Sequence, residues 1–274
     1  MLKFIEDGHR YESVDPTDET KWLSITTLIG NLHEPFSGDV AEKCSVKKPT
    51  ATRPNKWYGL SVEEIQEAWD AERNRSAELG SWYHKTREDA LYGMTSPITV
   101  YKQIINAGIK YAPDQFLYEG IYPEHFIYLK SEGICGQADY VEVKEGKIYI
   151  RDYKTSKKID RKSFVNWEGI SKMMTGPIKH LEDCHFYHYA LQLSLYMYMM
   201  LRHNPNLQPG TMFIEHIKFE VESEDKYGYP IYKKNSNGSF IVKEIEDIEV
   251  PYLKKEVHLI MKWLKDNRSK IQKH

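Results

Sequence analysis

Cysteine is scarce in this 274-residue chain: Cys44, Cys135 and Cys184 are odd in number and far apart. That excludes a disulfide framework, leaves too few thiolates for a four-cysteine iron–sulfur cluster, and points to a reducing compartment. Basic charge is not in excess either, since 38 Lys and Arg stand against 40 Asp and Glu for a formal net charge of -2. A protein that coats a polyanion over its whole surface is therefore excluded, and any such site must be local, made by clustered cations or a bound metal ion. No apolar run approaches the length of a membrane span. The richest, residues 190–201, is short and contains Gln192 and Ser194. The N-terminal residues have neither the apolar core of a secretory signal nor the Arg-rich, acid-poor composition of a transit peptide, so a cytoplasmic protein is expected. Internal repeats, low-complexity tracts and a Gly-x-x-x-x-Gly-Lys phosphate loop are also missing, which excludes a solenoid and a nucleotide-driven motor.

What is present is material for a folded core: 41% hydrophobic and 13% aromatic residues. Phe4-Ile5 and His9-Arg10-Tyr11 flank the turn-like Asp7-Gly8 and predict a hairpin. Ser24 precedes a helix onset at Ile25. Residues 34–58, interrupted by Pro35, Pro49 and Pro54, predict a loop with a short helix around residues 39–43. Ser61 and Glu64 have capping-box spacing, and the pattern beyond them is helical through His84 and Glu88, with a kink or a second start expected at Gly80. Strands are expected at residues 116–118, 125–129, 138–143 and 147–153, with Glu145-Gly146 turning between the last two. A helix over residues 181–201, a strand over 211–219, a hairpin within 226–238 and a final amphipathic helix over 251–270 complete the order. That order predicts an α/β fold with a mixed central sheet flanked by helices. Residues 1–110 would form a helical N-terminal region contributing the His84 helix, and residues 111–274 the core and C-terminal helix, together one compact unit.

The chemistry concentrates in two stretches. In Ile148-Tyr149-Ile150-Arg151-Asp152-Tyr153-Lys154-Thr155, the Asp152 and Lys154 side chains share one face of a strand. Asp139 lies across the Glu145-Gly146 turn, where antiparallel pairing brings it next to Asp152. Two neighbouring carboxylates repel unless a cation or proton lies between them. A hard cation such as Mg²⁺ accepts such oxygens, polarises a phosphodiester and acidifies a water, while Lys154 offsets developing charge. By itself Asp-x-Lys is also the pattern of a surface hairpin with an ordinary ion pair.

Further motifs alter that balance. Gly80-Ser81-Trp82-Tyr83-His84, Gly136-Gln137-Ala138-Asp139, Asp152-Tyr153-Lys154-Thr155 and Gln192-Leu193-Ser194-Leu195-Tyr196 occur in this order. In them the chain resembles the RecB-like branch of the PD-(D/E)XK nucleases, including stand-alone phage-type and mitochondrial single-strand exonucleases. The resemblance spans about residues 76–200, and Ser24-Ile25-Thr26-Thr27 is similar to phage-type members as well. It implies a restriction-endonuclease-like core and a DNA exonuclease using Mg²⁺ or Mn²⁺, acting on single strands or free ends and leaving a 5′-phosphate and a 3′-hydroxyl. It implies work in recombination, repair or replication in a bacterial or phage-infected cell, with a recombination or replication protein as a partner. It further implies that His84, Asp139, Asp152 and the Tyr153 carbonyl bind metal, that Lys154 is the catalytic lysine, and that Gln192 and Tyr196 contact the site or the strand.

Glu88 and Glu124 are acidic residues that stand as second-tier ligands. Lys157, Lys158 and Arg161 follow the proposed centre directly and are candidates for phosphate contacts. Trp57, Tyr58, Trp69, Trp82 and Trp167 include candidates for base stacking. Three other readings stay open: a structure-specific endonuclease of the same fold, a non-catalytic nucleic-acid-binding scaffold, and zinc held by His180, Cys184 and His188 at four-residue steps.

Overall fold

β1 (Leu2–Ile5) and β2 (Arg10–Ser13) pair antiparallel, Leu2 opposite Ser13. The computed structural model describes residues 1–5, 10–35, 39–51, 54–166 and 168–271; the Asp7-Gly8 turn, His9 and Trp167 lie outside the described residues. β3 (Leu23–Ser24) runs into α1 (Ile25–Gly30), where Ser24 Oγ accepts the Thr27 N–H at 3.0 Å. α2 (Val40–Val46) interrupts the Pro-containing loop.

α3 (Val62–Tyr92) is a single helix of 31 residues. Its capping box is complete: Ser61 Oγ accepts from Glu64 N at 3.1 Å, and Ser61 N donates to Glu64 Oε2 at 2.8 Å. The expected break at Gly80 does not occur. Gly80 lies where the helix passes Thr155, and a Cβ there would make only ordinary contact with Thr155 Oγ1 at 3.5 Å.

β4 (Ile104–Asn106) and β5 (Ile109–Tyr111) extend the N-terminal hairpin into a small sheet of order β2-β1-β5-β4. The first 110 residues thus carry strands as well as helices. Residues 116–118 are not a strand. Leu117 N donates to Asn204 Oδ1 at 2.8 Å and Tyr118 N to the Tyr122 hydroxyl at 2.7 Å, so side chains take the hydrogen bonds a ladder would need.

The central sheet follows. β6 (Gly120–Leu129), β7 (Ile134–Lys144) and β8 (Lys147–Lys154) form an antiparallel meander. The β7–β8 turn is tight because Glu145 (φ 53) and Gly146 (φ 72) both adopt positive φ. α4 (His185–His203) then crosses to β9 (Gln208–Phe219), which pairs parallel with β8, as a crossover connection requires. Residues 181–184 are not helical, although the sequence pattern includes them. β10 (Val221–Glu224) and β11 (Pro230–Tyr232) make a hairpin that begins before residues 226–238, where one is expected. β12 (Val242–Val250), which the sequence pattern misses, closes the edge beside β9. It is an edge strand exposed on most positions, and its Glu and Asp residues conceal the usual alternation. α5 (Lys254–Asn267) ends the fold.

Sheet order is β12-β9-β8-β7, with β6 and β3 both on β7. α1, α4 and α5 share one apolar core with Ile148, Ile150, Met212 and Ile214. On the opposite face α3 packs Leu79 and Tyr83 against Tyr153, Ile217 and Phe219. Odd and even residues of β8 therefore meet different helices. This is a mixed sheet between helical layers, as the element order predicts.

Candidate metal centre

The site lies where β7 and β8 part. Their ladder stops at Tyr140 opposite Arg151, and β3 takes up Ile134 and Cys135 of β7 further along. Asp139 is the first residue past the ladder. Its Oδ2 accepts the Tyr153 N–H at 2.6 Å, so the carboxylate fills the gap the parting strands leave. Across β7, the β6 register (Pro123 opposite Tyr140, His125 opposite Ala138) sets Glu124 beside Asp139. Glu124 has φ 49, a strained value for a non-glycine residue. Its backbone carbonyl accepts the Gln103 side-chain amide, and its Oε2 accepts Gln137 Nε2 at 2.5 Å.

His84 reaches the same point from α3. Its Nδ1 lies 3.1 Å from Glu124 Oε1 and 3.6 Å from Asp139 Oδ1. His84, Glu124 and Asp139 each offer a donor atom within 4.8 Å of the others, and they are the one such group of His, Cys, Asp and Glu among the described residues. Glu124, second-tier by sequence, is thus inside the cluster. Glu88 is not: it is ion-paired with Lys85 at 3.3 Å.

Asp152 and Lys154 share a face, as their spacing predicts, with Lys154 Nζ 2.5 Å from Asp152 Oδ2. Asp152 is 1% exposed, and its Oδ1 accepts no hydrogen bond. A buried carboxylate oxygen without a donor is costly unless a cation or another donor meets it. Tyr153 turns the other way, against Tyr83 at 5.6 Å between ring centroids.

The charges are coupled. Burial, with the Asp152 charge added, pushes the Asp139 carboxyl up to about 7. For His84, burial alone lowers the pKa, but the Glu124 hydrogen bond and the charges of Asp139 and Glu124 outweigh it and push it up to about 9. Burial likewise works against the Lys154 ammonium, yet Asp152 and Asp139 prevail and raise its pKa above the ordinary lysine value. Protons and the Lys154 ammonium are thus drawn to the crowded carboxylates, a charge balance that a divalent cation could also supply.

Gly136 and Tyr196 explain each other. A Cβ on Gly136 would fall 2.5 Å from the Tyr196 ring, so the motif glycine is required by the motif tyrosine. Gln192 Nε2 donates to Tyr196 Oη at 3.1 Å. Both line a cavity of about 320 Å³ with Ser24, Thr26, Lys110 and Gln137. Gln137 links this cavity to the cluster through Glu124.

The basic segment is less free than its sequence implies. Lys157 pairs with Glu72 at 2.7 Å and Lys158 with Asp160 at 3.0 Å; the Arg161 guanidinium lies 5.4 Å from the Phe186 ring. Of the aromatics, Trp57 and Trp69 pack edge-to-face at 5.9 Å, Trp82 packs on Phe219 and Phe240, and Tyr58 is exposed. The zinc reading loses its premise. His180 and Cys184 precede α4, His180 pairs with Glu256 at 3.0 Å, and His188 with Asp183 at 2.8 Å.

Comparison with known proteins agrees with this geometry. Residues 56–272 match the family model of the PD-(D/E)XK nuclease superfamily, and the chain belongs to that superfamily. Such nucleases use divalent metals and act on nucleic acid. Neither the curated proteins nor the solved structures contain a match. Among the described residues no helix is long and apolar enough to cross a membrane.

Proposed function

We propose that this protein is a metal-dependent deoxyribonuclease, an exonuclease of the RecB-like kind acting on DNA ends or single strands during recombination, repair or replication in a bacterial or phage-infected cell. The observation that carries the reading is the meeting of His84, Glu124 and Asp139 next to the buried Asp152–Lys154 pair. His84 Nδ1 and carboxylate oxygens of Glu124, Asp139 and Asp152 would hold Mg²⁺ or Mn²⁺, with the Tyr153 carbonyl as a further ligand. This mixed nitrogen and oxygen set suits either ion, the imidazole favouring Mn²⁺. When bound, the ion polarises a phosphodiester and acidifies a water.

The chain's own groups would do the rest. Lys154 keeps its proton beside Asp152, so its part is to offset charge growing on the phosphate, not to remove a proton from water. Asp139 fixes the parting of the strands through the Tyr153 N–H, which sets the spacing of the two aspartates. Gln137 and Gln103 hold Glu124 in its strained conformation, so the cluster is organised before substrate arrives. Gln192 and Tyr196, on the adjoining cavity, would contact the strand. Any help from Lys157 and Lys158 requires that they leave Glu72 and Asp160, while Arg161 is more available.

Digestion of end-labelled single- and double-stranded oligonucleotides, with Mg²⁺, Mn²⁺ or EDTA, tests this. A ladder shortening from one end, lost in EDTA and in Asp152→Asn, is expected. Cleavage that persists in EDTA would refute the metal-dependent reading, and internal cuts would favour a structure-specific endonuclease.

A further inference from the structure

Between β8 and α4 the chain makes a small hairpin with no role in the metal centre. Val165 bridges Ser171, Lys172 N donates to Phe164 O at 2.9 Å, and Asn166 N donates to Ile170 O at 2.9 Å. Its turn is fixed by Asn166 Oδ1, which accepts from Glu168 N and Ile170 N at 2.9 Å each, and by Gly169 at φ +80. Its base is fixed too. Ser163 N donates to Glu182 Oε2 at 2.8 Å, and Met174, 2% exposed, donates its N–H to Leu181 O. Yet Phe164 is 76% exposed, Ile170 60% and Val165 49%. Cross-strand register places Phe164 and Ile170 on one face. A well-hydrogen-bonded hairpin that holds an aromatic and an aliphatic side chain in water forgoes burial for something else.

Neighbouring side chains lead stepwise from the proposed centre to this hairpin. Lys154 Nζ lies 4.9 Å from the Tyr189 ring. One helical turn earlier, His185 sets its ring nearly parallel to Tyr189, at 11° and 6.2 Å between centroids. His185 and Phe164 then line one cavity of about 170 Å³ with Lys162, and its wall also carries Asp160, paired with His185 at 3.4 Å, and Asp183, paired with Lys172 at 2.8 Å. Arg161 and Lys162 are exposed at the foot of the hairpin, and among the described residues neither is in an ion pair.

We infer that these side chains form a track for an unpaired DNA strand, with bases laid on Tyr189, His185 and the Phe164–Ile170 face, and phosphates met by Arg161 and Lys162. This rests on the nuclease reading above and adds the path and the strandedness of its substrate. Aromatic faces interleaved with unpaired cations fit a single strand because its bases expose their π faces, which a duplex conceals. The contacts are to ring faces and backbone charge, so the track reads no sequence.

The test uses the full-length protein and fluorescence anisotropy with labelled oligothymidylate in EDTA, which stops turnover. Hydrolysis of thymidine 5′-(p-nitrophenyl phosphate) with Mn²⁺ reads the reacting centre alone. Phe164→Ser/Ile170→Ser should weaken oligothymidylate binding about tenfold or more, keep its thermal unfolding, and leave hydrolysis of the small ester unchanged. Phe164→Tyr should bind as the parent does. Should the double variant bind the oligomer as tightly as the parent while both hydrolyse the ester, the track is wrong and the nuclease reading stands. Unchanged affinity with loss of a dimer on sizing would identify the patch as a contact between copies, also overturning the track. A parent protein that neither binds the oligomer nor hydrolyses the ester defeats both.

Discussion

Glu124 Oε1 lies 3.1 Å from His84 Nδ1, joining a strained strand residue to the helix that crosses above it. Of the two carboxylates facing this imidazole it is the nearer, Asp139 being 3.6 Å away. Glu124→Gln keeps the shape and removes the charge. Isothermal titration should then show Mn²⁺ binding weakened roughly 10–100-fold, whether Glu124 ligates directly or orients His84. Affinity equal to the parent's would remove Glu124 from the site.

Lys154→Ala separates chemistry from stability. Cleavage should fall by roughly 100–1000-fold, the usual loss when one electrostatic contributor is removed. Without the ion, Asp152 is left buried with no counter-charge, so unfolding in EDTA should cost roughly 3–5 kcal/mol less than for the parent. Saturating Mn²⁺ should restore most of that difference, because the cation supplies the missing positive charge. Chemical denaturation in EDTA and in Mn²⁺ reads both quantities. An unchanged denaturation midpoint in EDTA would mean the pair is incidental.

Metal affinity should rise with pH, and the sign follows from where the protons sit. His84 is pushed up to about 9 and Asp139 to about 7, so near pH 7 His84 holds a proton and Asp139 is about half protonated, and a cation must displace these protons. Binding therefore releases protons. Apparent Mn²⁺ affinity should climb from pH 6 towards pH 9 (in steps of about one pH unit) and level off once His84 is neutral. Calorimetry in two buffers of different ionisation enthalpy counts the protons directly. A pH-independent affinity would mean that neither group ligates.

Much of this centre was legible in the sequence because β-strand alternation is rigid. Asp152 and Lys154 two apart must share a face, and the Glu145-Gly146 turn fixes which residues of β7 and β8 face each other. The four motifs fall on α3 (Gly80, His84), β7 (Asp139), β8 (Asp152) and α4 (Gln192). Glu124 was only an acidic extra because its place depends on a positive φ and on Gln103 and Gln137, none of which leaves a local pattern. Glu88 stood at helical spacing from His84, but Lys85 captures it. Lys157 and Lys158 read as free cations because their partners, Glu72 among them, come from distant or unremarkable positions. β12 was missed because edge strands tolerate the charges that hide alternation. Residues 116–118 have a strand's pattern but not its ladder, because Asn204, far along the chain, accepts the Leu117 N–H.

His125 supplies a last prediction, independent of the metal. It is 3% exposed on β6, with the Tyr122 ring edge-on at 5.2 Å. Burial, helped by the charge of His203, pushes its pKa down to about 4. The unfolded chain, with histidine near 6.5, therefore binds the proton first as pH falls. Above pH 6.5 both states are neutral and His125 costs nothing; between 6.5 and about 4 folding loses about 1.4 kcal/mol per pH unit, about 3 kcal/mol in all. Below about 4 both states are protonated and the loss stops growing. His125→Phe keeps a planar apolar ring and removes the titration. Denaturant unfolding of parent and variant in EDTA, at pH 7, 6 and 5, should show the difference between them moving in the variant's favour with each step down. A constant difference across that range would mean that His125 meets water or a hydrogen-bond acceptor when protonated, and that this part of β6 is less sealed than its packing implies.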